Sequence, residues 1–168
     1  MFKDFSSVAR VALLAVFLTA GCRSLPPLPR ADLAAPGWTV FQGQALWRSE
    51  HEAPEIAGEL VVAFHNDGRT LVQFSKTPFP LVIAQTTANA WQIEAPVENR
   101  RFARNGAPPR RVLWFHLPEL LQSSAGEKPP EPWSWRKNGD ELRVENRSTG
   151  EHLEGFLEPA AKAPRGSQ

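Results

Sequence analysis

The chain carries one cysteine in 168 residues, Cys22. That excludes an internal disulfide, a paired-cysteine redox motif and any multi-cysteine zinc site. Charge of one sign is also scarce: nineteen Lys and Arg face eighteen Asp and Glu, a net of +1, with no long block of either. A nucleic-acid binder concentrates its basic residues in a footprint, so that class is set aside. No G-x-S-x-G, Gly-rich phosphate loop or H-E-x-x-H pattern occurs, and the four histidines, His51, His65, His116 and His152, stand far apart in sequence. An enzyme, a bound cofactor and a metal are therefore not expected. Tyrosine is absent and methionine occurs once, while there are sixteen prolines, eleven glycines, ten phenylalanines and six tryptophans. Such a composition favours strands and turns over a helix bundle.

The first 22 residues have their own logic. Lys3 and Arg10 precede the uncharged run Val11–Ala20. As a helix, ten residues reach about 15 Å, half of a hydrocarbon core of roughly 30 Å. A positive start, a short apolar run and small residues before a cleavage point are the order of a secretory signal. Leu18-Thr19-Ala20-Gly21-Cys22 resembles a bacterial lipobox. The resemblance implies cleavage before Cys22 and acylation of that residue, a diacylglycerol with a further palmitate-like chain. Several acyl chains anchor stably where one is marginal. Removal of residues 1–21 leaves seventeen basic and seventeen acidic residues. Arg23 and Ser24 follow the cysteine rather than the aspartate of an inner-membrane retention signal, which favours the periplasmic face of the outer membrane.

Residues 22–36, rich in proline, read as an extended tether with a reach of roughly 40 Å. Residues 37–158 read as the folded domain and 159–168 as a loose tail. Within the domain, alternation predicts strands over Trp38–Arg48, Ile56–Phe64, Thr70–Lys76, Leu81–Gln85, Ala90–Ala95, Trp133–Lys137, Glu141–Asn146 and His152–Leu157. Asn66-Asp67-Gly68 and Asn138-Gly139-Asp140 supply turns. Thr77-Pro78-Phe79-Pro80 is expected to be a loop, since two prolines lack donors. Residues 96–109 are either a poorly patterned strand with a turn or a loop. Leu113, Leu117, Leu120 and Leu121 fit helical spacing, and a short helix is expected near Leu117-Pro118, with an extended segment before it. Seven or eight antiparallel strands and one helix make either a curved sheet with the helix over one face or a closed small barrel.

Four stretches carry a further resemblance: Gly37-Trp38 through Gln42-Gly43-Gln44-Ala45-Leu46-Trp47-Arg48, Gly58-Glu59-Leu60, Phe74-Ser75-Lys76 through Pro80-Leu81, and Asn146 through Gly155. With the acylated N-terminus and long strand meander, the layout over about 120 residues resembles the LolA/LolB lipoprotein-localisation group. This implies a mainly β fold, a curved antiparallel half-barrel with one short helix covering the concave face. It implies a non-enzymatic function, binding acyl chains or lipoproteins and aiding their localisation or insertion at the outer membrane. The alternative is a scaffold envelope lipoprotein that binds another envelope protein and has no ligand cavity. The partners implied are the membrane, through acylated Cys22, other lipoproteins and a periplasmic LolA-like carrier.

By strand count, Phe79 with Leu81 takes the place of the family's membrane-inserting loop. Candidates for an apolar cavity are Trp47, Leu60, Val62, Phe64, Trp91, Trp114, Trp133 and Trp135, though the same side chains could fill a closed core. The spacings of His65 with Asp67 and of His116 with Glu119 read as ordinary polar neighbours. Arg100, Arg101, Arg104, Arg110 and Arg111, with Glu94 and Glu98 nearby, read as a solvated charge-balanced face, with contact to anionic head groups or acidic partners as the other reading.

Overall fold

The computed structural model describes residues 25–123, 129 and 131–160; the signal segment, Cys22 and the tail beyond Ala160 lie outside them. Among the described residues the chain forms nine strands: β1 (Trp38–Arg48), β2 (Ile56–His65), β3 (Thr70–Lys76), β4 (Phe79–Thr86), β5 (Ala90–Ala95), β6 (Arg100–Asn105), β7 (Trp133–Asn138), β8 (Glu141–Asn146) and β9 (His152–Pro159). They join in one antiparallel sheet of order β6-β5-β4-β3-β2-β1-β9-β8-β7. β6 and β7 are edges and do not pair with each other, so the sheet is open and no closed barrel forms.

Neighbouring strands in sequence pair as hairpins, with one exception. From the β6 edge the chain crosses one face of the sheet to reach the β7 edge. The crossing holds a 3₁₀ turn at Leu113–Phe115 and the helix α1 (Leu117–Gln122). Pro118 sits in the first helical turn, where its missing N–H is no loss. The helix stops at Ser123, whose N–H donates to the Glu119 carbonyl at 2.8 Å. Lys137 Nζ donates to the free carbonyl of Leu121 at 3.2 Å, tying the helix end to β7.

Period-two alternation decides what the helix covers. Leu60 and Val62 of β2, Val72 and Phe74 of β3, Leu142 and Val144 of β8, and Leu153 and Leu157 of β9 all face α1 and are buried. Leu113, Leu117, Leu120 and Leu121 complete the same cluster. Each such fully buried side chain contributes about 1.5–3 kcal/mol of transfer free energy. Trp47, Phe74 and Trp114 pack with ring centroids 5.2–5.9 Å apart at the centre. Close approach of β1 and β9 depends on glycine. A Cβ at Gly43 would overlap the Phe156 carbonyl, and one at Gly155 the Gln44 carbonyl.

The second face has a cover of its own. Ala63 and Leu71 pair across β2 and β3 on that side and are buried all the same. Residues 25–36 lie over it: Arg101 Nη2 on β6 donates to the Leu25 carbonyl at 3.2 Å, and the Leu28 N–H donates to Gln92 Oε1 on β5 at 2.9 Å. At the far end His65 Nε2 of β2 lies 3.1 Å from the Pro36 carbonyl. The segment expected to stand off as a tether is instead a strap. Leu25, Leu28 and Leu33 half-bury there, and its backbone groups find partners on the sheet.

Two other expectations change, and one open alternative is decided. The four-residue loop at Thr77–Pro80 is a tight turn of Thr77 and Pro78, and both Phe79 and Pro80 belong to β4. Pro80 sits beside a bulge, where the extra residue Leu81 separates the pairs Ser75–Pro80 and Phe74–Val82, one of the places in a sheet that tolerates proline. Of the two readings of residues 96–109, the strand is the one found: Arg100–Asn105 is the ninth strand. The segment before α1 is a 3₁₀ turn rather than extended. The last strand also runs on to Pro159, and the Ala160 N–H donates to the Val40 carbonyl at 2.8 Å.

Candidate functional site

The β3–β4 hairpin delivers Phe79 to the surface. Phe79 pairs with Lys76 beside the turn and is 63% exposed, an unusual place for a large aromatic. Thr77 Oγ1 donates to Glu59 Oε1 at 2.8 Å, fastening the turn to β2. Leu81 lies on the same strand but is half-buried and packs against the core. Of the two residues expected to project, only Phe79 does.

Beside this turn the second face opens into a groove of about 720 Å³. The strap covers the β6-to-β2 side of the face, and the groove lies over β1, β9, β8 and β7 and the start of β2 and end of β3. Even-numbered residues of β1 and β9 point to it. Gln44 pairs with Phe156 and Leu46 with Glu154, which makes Leu46 and Phe156 diagonal neighbours on one face. Leu46 is 38% and Phe156 58% exposed. Together with Ala57 they give an apolar floor. Glu59, Lys76, Arg136, Arg143 and Glu154 form a mixed charged rim, in which Arg143 Nη1 and Glu154 Oε2 stand 3.5 Å apart. A volume of this size lies within the range of small-molecule sites.

None of the eight side chains expected to line a cavity borders this groove. Leu60, Val62, Trp114 and Trp133 are buried in the core, and Trp47, Phe64 and Trp135 pack against it. Trp91 meets Phe115 edge to face at 5.5 Å, and Phe64 stacks on Phe41 at 6.0 Å. Helix α1 fills the space where an apolar cavity was expected. Leu46 and Phe156 were legible only as the apolar minority of the opposite face. Cys22 lies outside the described residues.

Away from the groove, the titratable groups stand in local pairs. His65 Nδ1 stands 2.7 Å from Asp67 Oδ1, and Arg69 Nε donates to both carboxylate oxygens of Asp67 at 3.0 and 2.8 Å. The Arg69 hydrogen bond holds the Asp67 carboxyl well below the usual carboxylate range. His116 Nε2 lies 2.6 Å from the Arg110 carbonyl, and Glu119 is 3.6 Å from its other nitrogen. Glu151 is the exception in direction: burial pushes its carboxyl up to about 7, against a bond from Trp47. Among the described residues no three His, Cys, Asp or Glu side chains gather as metal ligands would, and no helix is long and apolar enough to cross a membrane.

No protein-family model and no curated protein sequence matches this chain.

Proposed function

We propose that the chain is a lipid-anchored protein of the bacterial envelope, attached through acylated Cys22 on the periplasmic face of the outer membrane. Its task on this reading is LolB-like and non-enzymatic: to hold the acyl chain of a lipid or of another lipoprotein and pass it on. The observation that carries this is the groove floored by Leu46 and Phe156, opening beside the turn that exposes Phe79. An apolar floor with a charged rim suits an amphiphile, whose chain needs burial and whose head needs water. Exchange between surfaces of similar hydrophobicity requires no nucleotide. The half-barrel of the LolA/LolB group is the fold this reading would share.

A second reading has its own support. The packed core under α1 leaves no cavity among the residues where the family's would lie, as a scaffold lipoprotein would have it, and the open edges β6 and β7 offer strand addition to a partner. Titration of the Cys22→Ala chain with a fluorescent fatty-acyl probe separates the two. Saturable binding that is lost in Phe156→Glu supports the groove. Absent binding, or binding indifferent to Phe156→Glu and Leu46→Asp, gives the protein to the scaffold reading.

A further inference from the structure

The strap fixes more than the second face of the sheet; it fixes where the chain's N-terminal side leaves the domain. Its first described residue, Leu25, is bonded through its carbonyl to Arg101 on the edge strand β6. Cys22 lies three positions before Leu25. A fully extended chain covers at most about 10 Å over that distance. The head-group layer of a leaflet is itself roughly 5–7 Å deep. A lipidated Cys22 would therefore hold the β6 edge at the bilayer surface, where a free tether would allow roughly 40 Å.

That edge has the composition for such a place. Val97, in the connection leading into β6, is 65% exposed, and Phe102 on β6 is 56% exposed. Arg100, Arg101 and Arg104 lie on the same strand, all exposed, with no acidic residue among its six positions; Arg100 Nη1 also stands 3.2 Å from Glu98 Oε2 in the connection before it, which leaves Arg101 and Arg104 as the surplus charge. The Arg100 guanidinium stands 5.6 Å from the centre of the Phe102 ring, so cation and aromatic are presented together. Arginines flanking exposed apolar side chains are suited to a head-group layer, where the rings enter the interface and the cations meet phosphates.

We infer that the β6 edge, with Val97 and Phe102 leading and Arg100 and Arg104 beside them, is a docking surface for the anionic phospholipid bilayer that holds the Cys22 acyl chains, and that the strap sets this orientation. The inference rests on the lipid-anchor reading above. It adds a fixed attitude of the domain and residues that reading does not use.

The test is made on the full lipidated protein in vesicles containing phosphatidylglycerol, with acylation of Cys22 first confirmed by mass. Acylation consumes the only native thiol, so Val97→Cys and, at the opposite end of the sheet in the β8–β9 turn, Arg147→Cys can each carry one environment-sensitive fluorophore. The expected result is a blue-shifted Val97 label quenched by lipids brominated on their chains, with the Arg147 label in water. Arg101→Ala, which frees Leu25, should reduce the quenching at position 97. Acylated protein with both labels equally in water overturns the orientation while leaving the anchor intact. A Val97 label shielded without bromolipid quenching assigns the edge to a second copy of the chain and overturns the lipid surface. Recovery of an unacylated Cys22 overturns both the anchor and the inference resting on it.

Discussion

Trp47 Nε1 donates to Glu151 Oε1 at 3.3 Å, joining the end of β1 to the turn that precedes β9, 104 positions later. The carboxyl is mostly buried, and burial raises it from 4.5 to about 7 despite the bond. Between those two values the folded chain keeps a proton that the unfolded chain releases. Stability from this group is thus fully present below about 4.5 and is lost as pH rises through about 7. Glu151→Gln keeps an acceptor for Trp47 without the charge. It should flatten the decline in denaturation midpoint across that interval and exceed the wild type on its alkaline side, as paired urea titrations would read.

The contact of β1 with β9 offers a second expectation. Gly43 and Gly155 have no space for a side chain, and in each case the obstacle is a carbonyl of the opposite strand rather than a side chain able to move. Gly43→Ala or Gly155→Ala should force the strands apart at the middle of the sheet and destabilise by about 1–3 kcal/mol or more. Urea unfolding should show a lower midpoint at an unchanged slope.

Asn146 organises the β8–β9 turn from a buried position. Its Oδ1 accepts from the Ser148 N–H at 3.0 Å, the Ser148 hydroxyl at 2.7 Å and the Thr149 N–H at 3.3 Å. Asn146→Ala deprives all three donors at once. The expected loss is about 1–3 kcal/mol, the cost of leaving partly buried groups unpaired. Hydrogen exchange at Ser148 and Thr149 should rise before global unfolding.

Much of this fold is readable from period-two patterning. Trp38–Arg48, Thr70–Lys76, Ala90–Ala95 and Glu141–Asn146 have the same ends in sequence and in structure, because each alternates cleanly and is bounded by turn residues. The helix was legible at Leu117-Pro118, since Leu117, Leu120 and Leu121 repeat on one face. Arg100–Asn105 was legible only as one of two readings, strand or loop, because an edge strand outside the core carries no apolar alternation. Pro80 hid the start of β4, as the irregular pairing that leaves Leu81 without a partner beside it gives no signal in the sequence. The site was least legible. Of the eight aromatic and aliphatic candidates seven lie in or against the core and Trp91 packs on Phe115, and which face of the sheet stays open depends on what covers each side. α1 covers one face and residues 25–36 part of the other, a matter of tertiary placement that proline content alone misread as reach.

Phe79 and Leu81 lie two residues apart on one strand with opposite fates, and that contrast tests the hairpin's role. Phe79 is 63% exposed and gives up little on substitution, so Phe79→Glu should leave stability within about 0.5 kcal/mol of the wild type. Leu81 packs against the core, and Leu81→Glu should unfold or strongly destabilise the domain, since a charge would be buried without a partner. If the tip enters a membrane during delivery, Phe79→Glu should abolish insertion of an acylated lipoprotein into vesicles while the groove still binds a fatty-acyl probe. Wild-type insertion by that folded variant would remove the hairpin tip from the mechanism and leave the groove to act without it.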